Sequence, residues 1–318
     1  IGENINSIGN NAFSNCESLR TLYFYGNKPT LGNEVTTNSS LHIVYLSNKT
    51  GWDSWTSTIK YECKILNDNL DTQGVYYTFK TENMSAMVGS LDGGDNRVDT
   101  SKYRKDDGNV IIPDYVSNGK GFFKVTEIDE YAFYKNTKVK NLTFGININK
   151  IGSSSFRETT YLNNINVIDN ELFYSIDGIL FAKDEFIKSI MKVPQTKVLN
   201  NYVVPTDIQA ISNYAFDNNK LLTNINLSNV VYIGVSAFEN TGLKTISIPS
   251  SVEKIMQKAF YNCELNTVHI PKNVLLIGTE AFNCKSIISF SVDGTNNKYL
   301  SENGVLFEKG DLLKLIQY

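Results

Sequence analysis

The chain has 318 residues, with 30 Lys and Arg against 33 Asp and Glu, a net charge of -3, and 41% apolar and 12% aromatic residues. Its basic residues are scattered rather than clustered, which argues against a nucleic-acid binder, and no run reaches the ~18 apolar residues of a membrane span. This balance predicts a soluble chain with ample core.

Residues 1–9 already read as part of a repeat, so any signal peptide is expected to lie outside the sequence. Ile8-Gly9 and Ala12-Phe13 open a unit that runs through Cys16, Leu19, Leu22 and Phe24, and Gly26, Asn27 and Pro29 break it. Residues 41–45 and 59–65 then read as strands, with a turn at 51–55 that carries both tryptophans, Trp52 and Trp55. An aromatic lid suits the last coil of a stack, whose outer face has no neighbour to cover it. Residues 1–66 are therefore expected to be the end of a first repeat array with a Trp-containing cap, followed by a polar linker at 67–71.

A second array is expected over 72–318. Strands at 74–79, 86–88 and 110–113, with a polar loop at 92–108, predict a starting β cap over 72–113. Asp92, Asp95 and Asp99 alternate with glycines in that loop, as calcium cages do, but their spacing fits no EF-hand and a solvated loop is the simpler reading. Regular repeats follow. Phe133 and Phe156 are 23 residues apart, and Phe216, Phe238, Phe260 and Phe282 are spaced by 22. Each of the last four follows an Ala and comes five residues after an Ile (Ile211, Ile233, Ile255, Ile277). A fixed short period denotes a repeat architecture.

Within one unit, the apolar residues Ile255, Ala259, Phe260 and Cys263 fall at i, i+4, i+5 and i+8, which predicts a single short helix. Leu265, Val268 and Ile270 then take on the alternation of a strand, and Pro271 ends it because proline cannot donate to a sheet ladder. Such a unit is too small to fold alone, so the coils are expected to stack with a parallel sheet on one side and the Phe rings inside.

Phe156 and Phe216 are 60 residues apart, and the extra material is itself repeated. Phe173, Asp177, Gly178 and Phe181 return 126 residues later as Tyr299, Asn303, Gly304 and Phe307. Asp-Gly or Asn-Gly between apolar runs signals a tight turn. Hairpins are therefore expected to be spliced into the stack at 171–194 and 297–318. The sequence ends inside the second module, which suggests a piece of a longer protein.

The consensus Ile-Gly-x-x-Ala-Phe-x-x-Cys-x-x-Leu-x-x-Ile-x-Ile-Pro resembles the repeat of the BspA-like, Treponema-type leucine-rich repeat proteins, and it covers nearly the whole chain. The resemblance implies an α/β repeat solenoid, a right-handed leucine-rich repeat superhelix with a parallel sheet, short helices and inserted β-hairpins. It also implies a cell-surface or secreted adhesion and recognition protein, with an extracellular or host-surface protein or glycan as partner. A structural spacer, or an ancillary array of a larger extracellular protein or enzyme, is the alternative.

Catalysis finds little support. The two histidines, His42 and His269, lie in separate arrays, and no nucleophile, metal or phosphate-loop motif is present. No enzyme activity, cofactor, metal, nucleic-acid partner or membrane insertion is expected. Cys16 and Cys263 come three residues after the anchor Phe and Cys284 two after it, a slot read as core packing; a Cys263–Cys284 disulfide is the lesser alternative. Five Asn-x-Ser/Thr sequons, at Asn38, Asn48, Asn83, Asn141 and Asn226, are read as chance products of an Asn-rich chain. What remains is surface. The outward strand positions Asn164, Asn166, Asn224, Asn226, Thr245, Ser247, Thr267 and His269 form a polar, almost uncharged column. It is expected to support the sheet as an Asn/Thr ladder and, functionally, to offer a binding face.

Overall fold

A computed structural model describes the chain except for residues 37–40, 55–58, 67–72, 74, 90–107, 184–186, 200, 311–313 and 318. The expected linker at 67–71, Trp55 and nearly all of the 92–108 loop therefore lie outside the described residues. Two compact units emerge: residues 1–104, 111–129 and 144–150 form one, and residues 105–110, 130–143 and 151–318 the other.

The second unit is a stack of coils. Each regular coil contributes a two-residue strand that carries the repeated Ile: Ala210–Ile211, Tyr232–Ile233, Lys254–Ile255 and Leu276–Ile277. These pair in parallel with Ile opposite Ile. The Phe rings form a spine inside: Phe216 to Phe238 at 4.9 Å, Phe238 to Phe260 at 5.1 Å and Phe260 to Phe282 at 5.2 Å, all stacked and buried.

The expected short helices are absent among the described residues, where the 3-10 segment Trp52–Ser54 is the only helical stretch. The backbone explains why. Tyr214 N–H donates to Val235 O (3.0 Å), Phe216 N–H to Ala237 O (2.8 Å) and Asn218 N–H to Glu239 O (2.8 Å), and Ser236, Phe238 and Asn240 repeat this one coil further on. Groups that would close an α-helix instead bind the neighbouring coil. Tyr214, Ser236, Lys258 and Glu280 all have φ between 51° and 58°, a left-handed conformation that a right-handed helix cannot include. The Ile column, read from sequence as a helix face, is thus a strand column.

A second column holds the expected strands, as short ladders rather than one sheet. Thr267–Ile270 pairs in parallel with Ser289–Val292, Tyr202–Val203 with Ile225–Asn226, and Asn226 bridges Ser247. Both hairpins are present. Phe173–Ile176 pairs antiparallel with Ile179–Ala182, and Tyr299–Glu302 with Val305–Glu308. Asp177 and Gly178 turn at φ 50° and 76°, as the primed turn requires. The next strand of the first module, Ser189–Lys192, pairs with Ile179–Ala182 on one side and Ala210–Ile211 on the other, which returns the chain to the stack.

In the first unit, Thr21–Phe24, His42–Leu46 and Ile59–Ile65 run parallel. Trp52 is buried, stacked on Tyr45 at 4.9 Å and edge-on to Phe24 at 4.8 Å. Ile59–Ile65, expected to close an array, instead continues onto Tyr115–Ser117, which pairs with Phe122–Ile128. Val44, Leu46 and Cys63 are buried against Tyr115 and Phe122. One sheet thus runs across the expected division at 67–71, and the compact units are drawn elsewhere.

Candidate recognition surface

In regular coils the apolar strand positions, such as Ile225, Val268 and Ile270, point into the core, which forces their polar neighbours outward. Asn166, Asn224, Asn226, Thr245, Ser247, Thr267 and His269 are all exposed, and Asn164 is half-buried. Pairing brings them into rows: Asn226 lies beside Ser247, Thr267 beside Ser289 and His269 beside Ser291.

The ladder forms in places. Asn164 Nδ2 donates to Asn141 Oδ1 (3.1 Å), and Asn141 Nδ2 to Asn109 Oδ1 (2.7 Å). Asn224 Nδ2 donates to Asn201 Oδ1 (3.0 Å), and His269 Nδ1 shares a hydrogen bond with Ser291 Oγ (3.0 Å). Asn226 Oδ1 accepts instead from Ser228 N–H (2.9 Å). Asn164 differs from the rest because the hairpin turn lies against its strand: Ile165 N–H donates to Gly178 O, and Lys197 Nζ to Asn164 Oδ1. The open part of the column therefore runs from Asn224 to His269. At its edge, hydrogen bonds from the Thr295 hydroxyl and N–H, aided by His269 and Lys272, hold the Asp293 carboxyl below its usual range.

The cysteine slot is a polar tie as well as a core position. Cys263 Sγ donates to Phe238 O (3.1 Å) and Cys284 Sγ to Phe260 O (2.9 Å), as Thr159 Oγ1 does to Phe133 O (3.0 Å). Both thiols are free and buried, and hydrogen bonding of the Cys263 S–H to Cys284, together with burial, pushes the Cys263 thiol far up. Cys16 departs from the expectation and is exposed, in a coil whose Phe13 is only half-buried. Sequence reasoning missed a buried ion pair, Lys192 with Asp217, whose side chains are 3% and 1% exposed. Its one signal was a Lys at an inward position of an alternating strand. Among the described residues no three His, Cys, Asp or Glu side chains converge as metal ligands, and no helix is long and apolar enough to cross a membrane.

Stacked 22-residue coils, a Phe spine and paired short strands define a leucine-rich repeat protein. The sequence model of the BspA type Leucine rich repeat region matches residues 1–69, 122–209 and 209–312, in six copies, and the chain belongs to that family. No curated protein matches it. Among solved structures it is similar to the pneumococcal vaccine antigen PcpA (24% identity, TM-score 0.55, 92% of this chain and 63% of that one). It is also similar to a leucine rich cell surface protein of Faecalibacterium prausnitzii (16%, TM-score 0.42, 80% and 62%) and to a leucine-rich repeat protein of Eubacterium ventriosum (18%, 0.40, 91% and 57%). The chain thus spans less than two thirds of the length of each.

Proposed function

We propose that the chain is a non-catalytic part of a secreted or cell-surface protein, wound as a right-handed superhelix, that mediates adhesion through protein or glycan recognition. One observation carries this reading: the exposed, uncharged column of Asn224, Asn226, Thr245, Ser247, Thr267 and His269 repeats coil after coil on one strand face. Repeat proteins commonly bind along such extended surfaces. Membership in the BspA-type family supports the surface location, as does the similarity to a pneumococcal vaccine antigen. A spacer would present the same fold without needing any partner.

The test is binding of the whole chain to a panel of extracellular-matrix proteins and arrayed glycans at two salt concentrations. Recognition by uncharged donors and acceptors predicts an affinity that changes by less than about threefold between low and moderate salt, because such contacts are barely screened. Silence across the panel would favour the spacer. A steep loss of affinity with salt would move the site to charged residues elsewhere.

A further inference from the structure

The first hairpin splice leaves a cavity of about 380 Å³ in the second unit, bounded by the Phe156 coil, the strand Ser189–Lys192 and the Phe216 coil. In the regular stack each anchor Phe N–H donates to the next coil: Phe133 to Ser155 O, Phe216 to Ala237 O, Phe238 to Ala259 O and Phe260 to Ala281 O. The splice removes that acceptor from Phe156. Its N–H has no hydrogen-bond partner among the described residues, although Phe156 is only 4% exposed. A buried backbone donor without an acceptor is rare and costly.

Two neighbouring groups set the chemistry. Lys192 is neutralised by Asp217, which also accepts from Glu158 N–H, so this pair closes the splice on one side. Arg157 lines the cavity with its guanidinium 4.8 Å over the Tyr214 ring. Its Nε lies 3.6 Å from a Glu158 oxygen, and the Glu158 carboxylate is shared with Lys135 and the Tyr134 hydroxyl. The guanidinium also lies 5.8 Å from the Tyr134 ring, and its terminal nitrogens have no hydrogen-bond partner among the described residues. A planar fork of donors beside an unpaired N–H fits a carboxylate. The remaining wall is mostly apolar, with Leu180, Ile187, Met191 and Ala210, and adds the Tyr232 ring and the Ser189 and Ser212 hydroxyls, which bond each other at 3.2 Å; a ring with one apolar face and hydroxyls at its edge suits it, and the volume falls within the small-ligand range.

We propose that this cavity binds a carboxylated sugar residue, with the carboxylate held by Phe156 N–H and Arg157 and the ring lodged among Tyr214, Tyr232, Ser189 and Ser212. The second splice provides an internal contrast. There Phe282 N–H again has no partner among the described residues, beside a cavity of about 360 Å³. That cavity is lined by Glu280 and Glu308 with Lys314, which lies 3.7 Å from Glu308, and Asn283 occupies the place of Arg157, so acids outnumber its one cation and it is not built for an acid.

The proposal shares the glycan partner of the recognition reading but not its strand face. It is tested by titrating the full chain with glucuronate, galacturonate and N-acetylneuraminate, against glucose, galactose and a short peptide with a free carboxyl end. The acidic sugars are expected to bind in the millimolar range or tighter and the neutral ones at least about tenfold more weakly, the effect of one charge-assisted contact. Arg157→Gln should lose about tenfold or more in affinity. Should Arg157→Gln lower the unfolding midpoint, Ser212→Leu, which fills the cavity, is the second variant and should also abolish binding. No binding, equal binding of acidic and neutral sugars, binding of the peptide alone, or wild-type affinity in the variants would overturn the proposal. Any of these results with panel binding intact would leave the recognition reading standing.

Discussion

Phe238 lies between Phe216 and Phe260 with no exposed surface, and its ring is within 4° of parallel to that of Phe260. Phe238→Ala empties a site that the flanking coils cannot close, because their spacing is fixed by backbone hydrogen bonds on both sides. The expected cost is about 3 to 5 kcal/mol, read as a lower denaturant midpoint; an unchanged midpoint would mean that the ring is not a core element. This spine was legible in the sequence because a bulky residue at a fixed period has to stack on itself. The Lys192–Asp217 pair was not legible. The two residues are 25 positions apart, and what makes a buried charge tolerable is the partner that the splice delivers.

At the scale of the element, the sequence was ambiguous where the structure is decisive. The spacing i, i+4, i+5, i+8 places apolar groups on one side of a helix and equally on one side of a left-handed turn. What selects the turn is the acceptor carbonyl one coil away, outside any local window. The hairpins were readable because Asp177-Gly178 and Asn303-Gly304 carry their own conformational signal. Side chains add to the backbone ties between coils. Glu130 accepts from Ser153 N–H and Oγ, both at 2.8 Å, and from Ser154 N–H at 2.9 Å. Burial pushes the Glu130 carboxyl up, but these hydrogen bonds outweigh it and hold it below the usual range. A carboxylate lowered in the folded state stabilises fully above its unfolded value of about 4.3 and loses that contribution as pH falls through the folded value. Glu130→Gln should therefore lower the unfolding midpoint at neutral pH, with the gap to wild type narrowing as acid is added. A gap that is constant with pH would show that the ionised form is not what ties the coils.

At the scale of the molecule, the end-cap and start-cap signals read from sequence proposed two segments, 1–66 and 72–318, joined at 67–71. The sheet of the first unit argues for interdependence, since Ile59–Ile65 pairs with Tyr115–Ser117, and Val44, Leu46 and Cys63 pack against Tyr115 and Phe122. Sequence could not show this, because the pairing joins Lys64 to Val116 across 52 residues. A fragment covering 72–318 is expected to unfold at a lower midpoint than the full chain, because Tyr115 and Phe122 lose their cover. An identical midpoint would restore the two-segment view.

The proposed function rests on the strand face, whose candidate residues were readable from alternation alone, although the covering of Asn164 by the hairpin was not. The most direct measurement is the affinity of the Asn226, Ser247 and His269 triple alanine variant for whichever matrix protein or glycan of the panel binds the wild-type chain. All three side chains are exposed, so the unfolding midpoint should stay nearly unchanged while affinity falls about tenfold or more, as expected from losing two or three hydrogen bonds. Undiminished binding in that variant, with loss of binding on changing Asp177 and Gly178 of the hairpin, would contradict the account and leave the strand face a purely structural ladder.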